Sequence, residues 1–173
     1  MKRKALFCAA ACALVAAGCG TSTKTVTRTV TVSGTGKVDA GPPGQLVQFG
    51  YVKSLVRSGG RYRMHFDPAL LLSGETANVA AAQDGVIQPG EPVPNDNYVV
   101  NEGKRLFMYF VAPDARVAVL KSGPQGTRVT VEQLARLVSH HNPPFKLFEP
   151  LTTGFWIAVN IDTVRALDQQ YRP

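Results

Sequence analysis

Residues 48–173 predict an α+β domain: an antiparallel sheet curled on itself, or a small barrel, of five to six strands with two helices. Three observations predict it. Strand-like segments come in pairs around glycine-bearing turns. Residues 106–111 (Leu-Phe-Met-Tyr-Phe-Val) are apolar on both faces, as in a strand with neighbours on both sides. Thr130-Val131-Glu132-Gln133 forms a capping box at the head of an amphipathic segment.

The elements follow in order. Residues 51–57 and 61–66 flank Ser58-Gly59-Gly60, where glycine permits the positive φ of a hairpin turn. In the second arm Tyr62, Met64 and Phe66 alternate with Arg61, Arg63 and His65, the period of a half-buried strand. Asp67-Pro68 reads as a helix start, with Asp at the N-cap and Pro in the first helical position, so Leu70 to Leu72 are expected in a short turn. Residues 75–83 are alanine-rich and helical, ending at Asp84-Gly85. Prolines 89, 92 and 94 then impose a loop. Residues 98–101 and 105–111 suggest a second hairpin across Glu102-Gly103-Lys104, Pro113-Asp114 a turn, and residues 116–120 another strand. After the capping box, Val131, Leu134, Ala135 and Val138 form one apolar stripe, and the helix ends before Asn142-Pro143-Pro144. Residues 155–161 form a last strand, and residues 162–171 a terminal turn or short helix. The arrangement favoured is an OB-like barrel, the five-stranded type that holds oligonucleotides and oligosaccharides.

The chain has 173 residues, 45% hydrophobic and 18% charged. That balance suits one globular domain with a core of its own and excludes a multidomain enzyme. The amino end reads as an address. Lys2, Arg3 and Lys4 precede an uncharged apolar run over residues 5–17, the length of a signal-peptide core, and Val15-Ala16-Ala17-Gly18-Cys19 resembles a bacterial lipobox. Residues 1–18 are therefore expected to be removed and Cys19 to carry lipid, a palmitate-type anchor on the extracytoplasmic face of the cell membrane. A plain secretory signal cut near Ala17 is the alternative. The other cysteines, Cys8 and Cys12, lie in the leader, so the mature domain has no disulfide, cysteine nucleophile or cysteine metal site. Residues 19–47 read as the lipidated Cys and a flexible tether rich in Thr, Val and Gly, which holds the domain about 30 Å from the membrane. The Thr/Val alternation over residues 25–32 has strand period but no partner to pack against.

The formal charge of +7 is mostly leader and tether. Residues 48–173 hold 13 basic and 11 acidic side chains, a balance that argues against nucleic acid as a partner. G-x-S-x-G, H-E-x-x-H, phosphate-loop and G-x-G-x-x-G motifs are all absent. Asn95-Asp96-Asn97 with Asn101 is the most distinctive polar run and the first place to seek a ligand, although an Asx-rich turn bonding its own backbone is the favoured account of it. Trp156 offers an aromatic platform if exposed. His65, Asp67 and His140 supply zinc-competent donors, against which Asp67 is needed as a cap and a terminal-turn His is favoured by the helix dipole. Arg57, Arg61 and Arg63 share a hairpin with Tyr51 and Tyr62, either a ligand-stacking face or the solvated side of a strand.

Residues 93–101 (Val-Pro-Asn-Asp-Asn-Tyr-Val-Val-Asn), Phe155-Trp156-Ile157, and the ending Gln169-Gln170-Tyr171-Arg172-Pro173 resemble uncharacterised secreted proteins and lipoproteins of actinobacteria. The resemblance implies the compartment and no mechanism. The function expected is thus a membrane-anchored extracytoplasmic lipoprotein. Its domain is non-catalytic, binds or interacts without a cofactor, and meets a cell-envelope polymer or a protein. The alternative is a small cell-envelope hydrolase or metal-dependent enzyme using His65, Asp67, Asp96 and one of His140 or His141.

Overall fold

The structure is a computed structural model and describes residues 45–172. The leader, Cys19 and residues 20–44 of the expected tether lie outside the described residues. The elements are β1 (Gln45–Ser58), β2 (Arg61–Ser73), α1 (Gly74–Gln83), β3 (Asn97–Val100), β4 (Phe107–Val119), β5 (Thr127–Val129), α2 (Val131–Val138), β6 (Phe155–Asn160) and β7 (Thr163–Gln169). Single 3-10 turns, Pro94–Asp96 and Leu151–Thr153, precede β3 and β6.

Five strands close a mixed barrel: β1 pairs with β2, β2 with β4, β4 with β7, β7 with β6, and β6 with β1. The β4–β7 pair is parallel and the others are antiparallel. β3 and β5 extend the sheet, pairing with residues 70–73 of β2 and 117–119 of β4. The class is therefore α+β with a small closed barrel.

Closure demands strands that bend. β1 serves β6 with its first half and β2 with its second, and the two ladders overlap at Phe49 and Gly50. Gly50 is where the strand turns the corner. A Cβ there would collide with the Asp67 carbonyl oxygen and lie 2.9 Å from the Pro68 Cα. A bulge between Val52 and Ser54 adds further twist.

The strand period fills the interior. Met64, Phe66, Val111, Val117, Phe155, Ile157, Val164 and Leu167 are fully buried in one cluster. Each such side chain contributes about 1.5–3 kcal/mol on leaving water. α2 adds Val131 and Leu134 to this core. Its capping box is complete: the Gln133 amide donates to the Thr130 hydroxyl (3.1 Å) and the Thr130 amide to the Gln133 side chain (2.9 Å). A smaller core of Leu72, Ala77, Ala80, Ala81 and Val93 lies beneath α1. Gln169, buried, ties the chain before β6 to the barrel. Its oxygen accepts from the Leu120 amide, while its nitrogen donates to the carbonyls of Glu149 and Pro150 and to the Thr153 hydroxyl.

Four expectations are corrected. Asp67 does not cap a helix, because β2 runs on through Pro68 and residues 70–73 are strand rather than turn. Pro68 falls where the β4 ladder has ended at Phe66 and the β3 ladder has not begun, a place that tolerates a missing N–H. Residues 98–101 and 105–111 form no hairpin with each other; both segments pair with β2 instead. Pro113-Asp114 does not end a strand but sits in an irregularity of β4, whose register against β7 shifts between Val111 and Arg116. The terminal segment is a strand, β7, not a turn or helix. β7 carries one extra residue, Arg165, because Ala158 pairs with Ala166 and Val159 with Val164; buried Ala166 then lies beside buried Leu167, so its period is masked.

Substituting Gly50→Ala is expected to cost about 1–3 kcal/mol in urea unfolding, while Gly60→Ala, whose Cβ meets nothing within 4 Å, leaves the midpoint nearly unchanged. Gln169→Leu strands the Leu120 amide and takes the side-chain donor from the Glu149 carbonyl; a loss of about 2–3 kcal/mol is expected in the same measurement.

Candidate binding face

The β2–β4 pairing, which chain proximity does not suggest, assembles the most distinctive surface. Antiparallel partners point to the same side of a sheet. Arg63 therefore lies between Val56 of β1 and Phe110 of β4, and His65 between Ser54 and Met108. Arg61 completes the outer row of β2. Its guanidinium lies over the Phe110 ring, 3.4 Å from the centroid, a cation–π contact. His65 Nδ1 and the Ser54 hydroxyl share a hydrogen bond of 2.8 Å. Arg57 pairs in register with core-facing Tyr62, so it is exposed at the hairpin end but on the opposite side of the sheet from Arg61 and Arg63. Among the described residues, none of the three arginines has an ion-pair partner. The β6–β7 turn borders this face, since the Phe110 amide donates to the Asp162 carbonyl at 3.0 Å. Ile161, in that turn, is 95% exposed.

The residues singled out from sequence are distributed elsewhere. Asp96 accepts a hydrogen bond from the Gly74 amide (3.1 Å) at the start of α1, where Ser73 makes no side-chain cap. A carboxylate there also suits the positive end of the helix dipole. Asn95 and Asp96 have positive φ, which Asx residues tolerate. Asn97 donates to the Asn95 carbonyl and accepts from Arg172. Asn101 reaches across to donate to Asp67. This run therefore holds β3, α1 and the carboxyl end together. Trp156 is half-buried: its ring lies 5.3 Å from that of Phe49 and its indole N–H donates to Gln170.

Asp67 is 6% exposed, with one carboxylate oxygen held by Lys53 (3.0 Å) and Asn101 (3.1 Å) and the other buried without a partner among the described residues. His65 lies on the same strand face but is bonded to Ser54, and His140 is exposed beyond α2. Among the described residues no three His, Cys, Asp or Glu side chains gather as metal ligands, so His65, Asp67 and His140 are not brought together. No carboxylate is bonded to His65. Tyr62 points into the core, and Tyr51 packs against Phe49, so neither joins the arginines.

The face thus combines cations, a hydroxyl, an imidazole and exposed apolar side chains. Sequence reasoning found its arginines but missed Ser54, Val56, Met108, Phe110 and Ile161. For the strand residues, only the β1–β2–β4 register reveals the grouping. Ile161 did carry a signal, an apolar residue inside the tight Asn160-Ile161-Asp162 turn.

A shallow groove of about 300 Å³ lies beside α1, lined by Glu75, Asn78, Val79, Ala82, Gln83, Pro89 and Gly90. Two tyrosines have shifted acidities. Tyr98 is raised, first by donating to the Asp84 carboxylate and then by burial and the Asp84 charge. Tyr109 is raised by burial, although its bond to Gln48 acts the other way. Among the described residues no helix is long and apolar enough to cross a membrane. Comparison with known protein families, with curated proteins and with solved structures finds no match.

A raised tyrosine favours the neutral hydroxyl in the folded state. The stability it contributes is complete below the ordinary value of 10.0 and is lost as pH rises through the higher folded value. Urea midpoints measured across this alkaline range are expected to fall, and Tyr109→Phe to make the fall shallower.

Proposed function

We propose that the chain is a lipid-anchored extracytoplasmic lipoprotein, of the actinobacterial kind it resembles, whose barrel is a non-catalytic module binding an anionic ligand. Cys19 carries the anchor, and the tether, expected to run to residue 47, ends at residue 44 because residues 45–47 belong to β1 and pair with β6. The barrel is OB-like in this reading, and its connectivity supports that. The first three barrel strands (β1, β2, β4) are antiparallel neighbours, the fourth (β6) returns to the first, and the fifth (β7) runs parallel to the third. α2 falls between the third and fourth. In such barrels the surface of the second and third strands holds the ligand.

The observation that carries the reading is the exposed pair Arg61 and Arg63 on that surface, with no ion-pair partner among the described residues. Placing like charges together costs stability unless a ligand neutralises them. The second reading, a small envelope hydrolase, draws on the Ser54–His65 contact. Its signature is turnover of envelope polymer that Ser54→Ala abolishes.

The anchor is tested by intact mass of the protein from a membrane fraction beside a Cys19→Ala form. A lipid-sized increment lost with the substitution is expected; a soluble product cut before Cys19 overturns the anchor. Binding is tested with inorganic polyphosphate. Salt-sensitive binding that weakens at least about tenfold in Arg61→Ala/Arg63→Ala is expected, and no binding by the folded protein overturns the module.

A further inference from the structure

We propose that the outer face of β1, β2 and β4, together with the β6–β7 turn, docks onto the surface of an anionic lipid bilayer. This rests on the binding-module reading and names the partner of that module.

The features of the face select a bilayer over a soluble polymer. A base or sugar ring needs an open aromatic surface, but Phe110 already has the Arg61 guanidinium 3.4 Å from its centroid. Trp156 is engaged with Phe49 and Gln170. Glycan recognition also draws on carboxylates and amides, whereas the outward positions of β1, β2 and β4 in this patch are Ser54, Val56, Arg61, Arg63, His65, Met108 and Phe110. The turn's own carboxylate, Asp162, accepts from the Thr163 hydroxyl (2.8 Å).

What the face offers instead is apolar side chains among cations. Val56 is 56% exposed and Met108 52%. Ile161 is the clearest case. It is nearly free of packing, yet it is a β-branched residue at φ 60°, a conformation in which asparagine or glycine is far less strained. Among the described residues the other non-glycine positions with positive φ are Asn95, Asp96, His140 and Asn142, all types that accept it. An isoleucine held there gains nothing from the folded domain. At a bilayer it enters the boundary of the acyl chains while the arginines meet the phosphates, the division of labour of an interfacial surface. A domain tethered within about 30 Å of such a surface meets it continually.

The test uses the full chain with Cys8, Cys12 and Cys19 replaced by Ser and Ile161→Cys carrying a polarity-sensitive fluorophore. It is mixed with vesicles of phosphatidylcholine alone or of phosphatidylcholine with phosphatidylglycerol. Circular dichroism confirms that each variant is folded. A blue shift on the anionic vesicles alone is expected. Arg61→Ala/Arg63→Ala should raise the lipid concentration for half the shift roughly 20- to 30-fold, from about fivefold per arginine. The proposal is overturned if the chain sediments with anionic vesicles while the fluorophore stays in water, or if the double variant leaves the shift unchanged. Retained binding of polyphosphate in either case leaves the binding-module reading standing; loss of both sinks the two together.

Discussion

The barrel depends on one strand being claimed from both sides. β4 lies antiparallel to β2 through residues 107–111 and parallel to β7 from Phe110 to Ala118. Without the first pairing Met64 and Phe66 would face water; without the second the ring stays open along β7. A parallel pair cannot be joined by a tight turn, so the chain makes a long excursion between β4 and β7. That excursion contains β5, α2, a 3-10 turn and β6. The capping box and Gln169 belong to the same constraint, since each fixes a part of the excursion so that β7 arrives in register. The bidentate pair between Arg116 and Asp168, both contacts 2.6 Å, fastens the parallel strands directly.

The candidate face is a by-product of that closure. Phe110 and Met108 are far from Arg63 and His65 along the chain and become their neighbours only because β4 seals the ring against β2. The β6–β7 turn reaches the same place for the same reason, through the ladder that brings Thr163 beside Phe110. Sites of this kind are precise because they are built on strands of a closed sheet, where no element can shift without disturbing the register.

Local signals were legible in the sequence and long-range ones were not. The Ser58-Gly59-Gly60 hairpin, the helix over residues 75–83, the Thr130 capping box and the strand at Phe155 each carry their information within a few residues. β3 and β4 looked like a hairpin because adjacent strand-like segments usually pair, yet each found a better neighbour in β2. Pro68 and Pro113 looked like breakers, since proline forbids a ladder bond, and the gaps in pairing that accommodate them are visible only in three dimensions. The same holds for the site. Arg61 and Arg63 could be placed on a solvated strand face from alternation alone. The run from Asn95 to Asn101 stands out in the sequence for its polar side chains, and in the structure Asp96 accepts from the Gly74 amide while the Asn101 and Asn97 side-chain amides donate to Asp67 and to the Asn95 carbonyl.

The flanking strands have a further consequence. A sheet invites another copy to add a strand wherever a row of amides and carbonyls runs unpaired. Here the strand order ends in β3 and β5, of four and three residues, while the longer strands are consumed by the ring. Short rims give little purchase for edge-to-edge zippering. A strand added from a second copy would have to begin on a rim of only three or four residues.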